Sequence, residues 1–168
     1  MQSIRFVDLQ IEYSLVSRGI EANILPVLRE LKIGVTAYGV LSRGLLSGSK
    51  PTGANDFRAH LPRFTGENLK RNEHSVEMLG RIAAEHKATP SQLAIAWVLH
   101  QGKDIVPLVG ARTRNQLSEA IAALNVKLSQ EELRRIAEAV PADRVAGSRY
   151  DEGQMAMLDS ERAAKTAA

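Results

Sequence analysis

Apolar residues along this chain switch repeatedly between strand-like and helix-like spacing, in the order that parallel β/α units would give. Phe6 to Ser14 reads as a short strand, followed by a helical stripe at Ile20, Ile24, Leu25, Leu28 and Leu31. Pro26 lies inside that stripe, so the helix either begins near it, with proline in the first turn, or is kinked there. Ile33 to Tyr38 is short, β-branched and flanked by glycine, the pattern of a buried strand. From Gly39 to Gly66 the chain is irregular and rich in Gly, Pro, Asn and Arg. Loops longer than ~15 residues inside compact domains are usually lids or disordered, and a lid is the reading adopted.

A long helix follows, with Leu69, Val76, Leu79, Ile82 and Ala83 on one face and its end near Lys87. Thr89-Pro90-Ser91-Gln92 is a capping box with proline at the first helical position, and it launches Leu93 to His100. Ile105 to Val109 is the third strand. Pro107 lacks an N–H and must lie at an edge or a strand end. Leu117, Ala120, Ile121 and Leu124 form the next stripe. Leu133, Ile136, Ala137 and Val140 form the last, opened by the capping box Ser129-Gln130-Glu131-Glu132 and stopped by Pro141. Periodicity then weakens, so residues 142–168 are expected to pack loosely, with a frayed end. No repeat or interdomain linker interrupts this order, which makes residues 1–168 a single domain.

Composition narrows the class without naming a function. With 168 residues, 44% hydrophobic and 24% charged, the chain is a soluble globular domain. A complete (β/α)8 barrel needs roughly 250 residues, so this length cannot close one. The 22 basic and 19 acidic residues are well mixed at a net charge of +3, and the few aromatics are scattered, which argues against nucleic acid. Absence of cysteine excludes disulfides and thiolate metal sites. Met1 is not followed by a signal-peptide core, and no run approaches the ~20 apolar residues of a membrane span. Cytoplasm is therefore the default location.

Candidate chemistry lies just past the carboxyl ends of the strands, where parallel α/β proteins bind ligands. In Val109-Gly110-Ala111-Arg112-Thr113-Arg114, small residues let the backbone approach a ligand, and a helix starting near Thr113 directs free N–H groups at it. Cations at a helix N-terminus are disfavoured by ~0.3–1 kcal/mol, so Arg112 and Arg114 either meet an anion or simply extend into water. Other conspicuous residues have plainer explanations. Tyr38 by itself reads as a core aromatic, and Trp97 as core filler in an apolar helix. The four histidines lack metal-site spacing, and no serine has the setting of a nucleophile.

Two strings, Leu9-Gln10-Ile11-Glu12-Tyr13-Ser14 and Val35-Thr36-Ala37-Tyr38-Gly39-Val40-Leu41-Ser42-Arg43-Gly44-Leu45-Leu46, resemble the sixth and seventh strands of aldo-keto reductases. The resemblance covers nearly the whole chain from Asp8 onward. It implies that Gln10 bonds a nicotinamide carboxamide and that Tyr38 stacks on the nicotinamide ring. It also implies that Gly39, Leu41, Ser42, Arg43 and Gly44 wrap a pyrophosphate, and that Gly110, Ala111, Arg112 and Gln116 hold an adenosine 2′-phosphate and adenine. NADP(H) is thus implied over NAD(H). Ala120 stands where many relatives have an adenine-contacting Asn, a role that Glu119 is placed to take. Lys32 stands where relatives have a helix-ending Gly, at a cost on the order of 1 kcal/mol if its backbone is left-handed.

The family's proton-donating tyrosine and its lysine, aspartate and histidine partners come from the first four β/α units, and none has a counterpart in this sequence. No catalytic residue is assigned: Tyr13, Tyr38 and Tyr150 lack the corresponding context. The fold expected is α/β, a partial TIM-type (β/α)8 barrel of about three parallel strands with outer helices. The function expected is a truncated or split aldo-keto reductase that keeps cofactor-half residues, binds NADP(H) weakly and is inactive alone. The alternatives are a non-catalytic NADP(H)-binding or regulatory module, or an interaction protein. Exposed strand edges imply self-association or pairing with the missing barrel half.

Overall fold

The computed structural model describes residues 6–158. Its elements in chain order are β1 (Asp8–Glu12), α1 (Ile24–Glu30), β2 (Gly34–Tyr38), α2 (Gly66–Glu85), α3 (Pro90–Leu99), β3 (Ile105–Pro107), α4 (Arg114–Ala122), α5 (Gln130–Ala139) and α6 (Glu152–Ala156). Helical crossovers bring each strand back in the same direction, so the sheet is parallel in the order β1-β2-β3. Gln10 lies opposite Thr36, Glu12 opposite Tyr38, and Thr36 opposite Val106. Strand, helix and sheet order agree with the expected part of a TIM-type barrel.

Local chemistry explains the element ends. Pro26 falls in the first turn of α1, the position a proline tolerates. Lys32 stops that helix with φ +56°, while Lys32 N–H bonds Arg29 O and Ile33 N–H bonds Leu28 O. Lys87 does the same after α2 at φ +53°. Both strands bracketing β2 are shorter than their apolar runs. β1 gives way to a tight turn in which Ser14 and Ser17 exchange backbone hydrogen bonds. β3 ends at Pro107, which is both the last residue and on the edge, as its missing N–H requires.

One face of the sheet is covered and the other is open. Val35, Ala37 and Ile105 point into a core filled by α3, whose residues Leu93 to Val98 are all buried. Trp97 packs there against Tyr13, ring centroids 5.6 Å apart. Each fully buried large apolar side chain contributes about 1.5–3 kcal/mol. Because residues two apart in a strand share a face, Gln10, Glu12, Thr36, Tyr38 and Val106 all lie on the opposite side, and Gln10 and Val106 are exposed.

Packing adds two features that periodicity does not carry. The apolar stripe of α4 does not enter the core: Leu117, Ile121 and Leu124 are 52%, 55% and 58% exposed, and only Ala120 of the stripe packs inward. The described part of the 142–168 tail is anchored rather than loose, with Ala146 and Arg149 buried. Asn72 of α2 explains the anchoring, since its side chain accepts from Ala146 N–H and donates to Ala146 O, both at 2.9 Å. Gly147 follows at φ +79°, where a Cβ would stand 2.7 Å from the Pro62 backbone. The stretch from Gly39 to Gly66 is likewise organised, with Leu45, Leu61 and Phe64 clustered against Leu69 and Val76 of α2.

Candidate functional site

The loop after β2 holds two of the four non-glycine residues with positive φ among the described residues. Gly39 sits at φ +67° with a would-be Cβ 3.0 Å from Glu12 Cγ, so only glycine lets the loop pass that side chain. Ser42 and Arg43 also adopt left-handed conformations, at φ +46° and +55°, a cost of order 1–3 kcal/mol each that surrounding contacts must offset. Those contacts are two arginines. Arg58 donates to Arg43 O at 3.2 Å, Ser49 Oγ at 2.9 Å and Lys50 O at 2.8 Å. Arg63, itself buried, donates to Ser42 Oγ at 3.3 Å, Ser17 Oγ at 2.9 Å and Val16 O at 2.7 Å.

Opposite this loop, the β3–α4 connection forms a second wall. Thr113 caps α4 by accepting from Gln116 N–H, and Gln116 Oε1 returns bonds to Arg112 N–H at 2.8 Å and Thr113 N–H at 3.2 Å. Between the walls runs a groove of about 840 Å³, within the size range of small-molecule sites. Gly39, Leu41, Arg43 and Gly44 line one side; Gly110, Arg112 and Gln116 line the other. Among the described lining residues Arg43, Arg58 and Arg112 face a single carboxylate, Asp56. Hydrogen bonds from the Arg58 side chain, then from the Arg58 and Thr52 N–H groups, hold that carboxyl well below the usual range. The groove is therefore net positive, the electrostatics an anionic ligand requires.

Seven of the twelve residues singled out from sequence line this groove. Gln10 and Tyr38 instead share the open face of the sheet, with Tyr38 at its carboxyl end. Ser42 turns its hydroxyl onto Arg63, away from the groove. Ala111 is exposed beside it. Glu119 points elsewhere, accepting a 2.6 Å hydrogen bond from Thr89 Oγ1 at the cap of α3. Three of the four histidines have structural partners: His60 Nε2 lies 3.0 Å from Ala54 O, His86 Nε2 lies 3.0 Å from Glu132, and the His100 ring links Ala96 O to Leu128 N–H. No cluster able to hold a metal ion occurs among the described residues.

Sequence reading missed the polar group at the carboxyl end of β1. Glu12, 2% exposed, lies 3.0 Å from the Arg149 guanidinium, itself 3% exposed, and accepts from Ser17 Oγ at 2.8 Å. Tyr150 follows, with the Arg43 guanidinium 4.7 Å and that of Arg149 5.5 Å from its ring centroid. Burial, first, then proximity to Tyr150 and Glu12 push the Tyr38 hydroxyl upward. A lone acidic residue in a strand, Glu12, was the only hint of a partner.

Comparison with known proteins fits this geometry. Residues 1–141 match the sequence profile of the aldo/keto reductase family. A probable aldo-keto reductase 1 of Glycine max is 47% identical over 150 residues, which is 86% of this chain and 43% of that protein. The solved structure of a glycerol dehydrogenase from Gluconobacter oxydans superposes with a TM-score of 0.71 at 28% identity, over 80% of this chain and 43% of that one. The chain thus spans less than half the length of the relatives it matches.

Proposed function

Since the chain belongs to the aldo/keto reductase family, we propose that it supplies the NADP(H)-binding part of a carbonyl reductase barrel and is inactive by itself. The observation that supports this reading most is the positive groove between the Gly39–Gly44 loop and the Gly110–Gln116 turn. Its size, its glycine-lined walls and its excess of arginine suit a phosphorylated dinucleotide. Arg43 would face the pyrophosphate and Arg112 the 2′-phosphate, the contact that distinguishes NADP(H) from NAD(H). Tyr38 would offer its ring, and Gln10 its amide, to the nicotinamide on the open face of the sheet. When bound, the dinucleotide supplies hydride chemistry. This chain's residues bind and orient it, and no proton donor is assigned among them. A cysteine-free chain in which no described helix is long and apolar enough to cross a membrane suits a cytoplasmic setting.

A second reading, interaction through exposed faces, is favoured by a separate observation. β1 and β3 each have one side unpaired among the described strands, and Val106, Leu108, Leu117, Ile121 and Leu124 are exposed along the β3–α4 flank. Further β/α units would cover these surfaces and complete the barrel, whether they belong to the same polypeptide or to another.

One experiment addresses both readings. NADPH binding and the reduction of a panel of small carbonyls are measured for the purified chain, alone and mixed with a polypeptide carrying the first five β/α units of a close relative. Weak NADPH binding without turnover is expected alone, with turnover appearing on mixing. Turnover by the isolated chain that is lost on changing Tyr38 would overturn the assignment of inactivity; absence of binding in both samples would overturn the cofactor assignment.

A further inference from the structure

We propose that Tyr150 is a positioning residue for the anion-binding edge of the groove, presenting the Arg43 guanidinium to the dinucleotide's phosphates. The inference rests on the cofactor reading above and deepens it. Arg43 belongs to a loop whose left-handed backbone is held in place by Arg58 on its carbonyl oxygen. That leaves the long side chain as the part with freedom to lose on binding. The Tyr150 ring restricts it, with the Arg43 guanidinium carbon 4.7 Å from the ring centroid. A cation held over an aromatic ring makes no hydrogen bond to it, so the guanidinium keeps its N–H donors for bidentate contact with phosphate.

The ring can do this only because its own segment is fixed. Asn72 clamps Ala146 from both sides, Gly147 passes within contact of Pro62, and Arg149 lies buried against Glu12. Tyr150 also lies near the Tyr38 hydroxyl and helps to push it upward. One side chain from the far end of the described chain therefore contacts Arg43 and neighbours Tyr38, residues that the cofactor reading assigns to the pyrophosphate and the nicotinamide.

The test is a double-mutant cycle on the full chain, read as the dissociation constant for NADPH. Tyr150→Leu should weaken binding about five- to tenfold, because Arg43 must then be ordered at the moment of binding. Tyr150→Phe, which keeps the ring, should stay within about twofold of the parent, a rescue that general disruption of the tail would not give. In an Arg43→Ala background Tyr150→Leu should have no further effect. Circular dichroism and urea unfolding identify any variant that has lost its fold, and Tyr150→Phe carries the comparison if Tyr150→Leu does. If Arg43→Ala weakens binding while Tyr150→Leu does not, or if the two effects simply add, the positioning role is wrong and the groove reading stands. If NADPH does not bind, or binds independently of Arg43, the groove reading falls and this inference with it.

Discussion

Thr89 Oγ1 donates a 2.6 Å hydrogen bond to Glu119 Oε1, joining the cap of α3 to the middle of α4. The same hydroxyl accepts from Gln92 N–H, and Gln92 Nε2 donates to Glu119 O at 3.2 Å. Glu119 is thus part of the joint between two helices, a structural role beside the adenine contact that the family resemblance implies. Glu119→Ala should lower unfolding free energy by about 0.5–1.5 kcal/mol, as loss of one hydrogen bond does, and leave NADPH affinity unchanged. Urea unfolding beside a binding titration checks both halves.

Arg112 carries the dinucleotide preference in the cofactor reading. Arg112→Ala should cost about 1–3 kcal/mol in NADP(H) binding and little in NAD(H) binding, erasing most of the difference between them. Calorimetry with both dinucleotides decides this, and equal affinities in the parent chain would remove the 2′-phosphate from the site.

Asn72 is buried and satisfies three backbone groups, Arg63 O, Ala146 N–H and Ala146 O. Asn72→Ala leaves them without that partner, at about 1–3 kcal/mol for each buried group so stranded. Global stability should fall, and residues 142–150 should become the first site of proteolytic cleavage, visible by mass spectrometry of early digestion products.

Acid should loosen the groove loop through Asp56. Its folded carboxyl titrates well below the usual range because Arg58 and two N–H groups bond the ionised form. A depressed folded value means that the contribution is present above the unfolded value of about 3.9 and is lost as pH falls toward the folded value. Stability measured from pH 6 downward should therefore drop less steeply in Asp56→Asn than in the parent. An unchanged acid limb would show that the pair does not respond to folding.

The exposed stripe of α4 makes an association test possible without disturbing the core. Because Leu117 and Ile121 are more than half exposed, replacing both by Gln should change stability only slightly, within about 0.5 kcal/mol each. If this face drives self-association of the isolated chain, the double variant should sediment as a smaller species. The same variant should complement the first five β/α units less well.

Much of this architecture was legible in the residues because it depends on local chemistry. The capping boxes at Thr89 and Ser129 set helix starts within a few residues, and Pro26 and Pro107 are confined by a fixed φ and a missing N–H. The family resemblance picked out seven groove residues, four after β2 and three after β3, which meet because strand ends in a parallel sheet converge by geometry. What the sequence could not determine is the environment of each face. Hydrophobic period shows that α4 has an apolar stripe, not that Leu117, Ile121 and Leu124 lack cover, since cover depends on elements elsewhere. The weak periodicity after Ala142 concealed an anchored segment, because a side-chain clamp such as Asn72 to Ala146, 74 residues apart, leaves no local pattern. Glu12, Arg149, Tyr150 and Arg43 likewise meet only when folding brings the last turns over the strand ends, where burial makes a charge without its partner costly and the pairing specific.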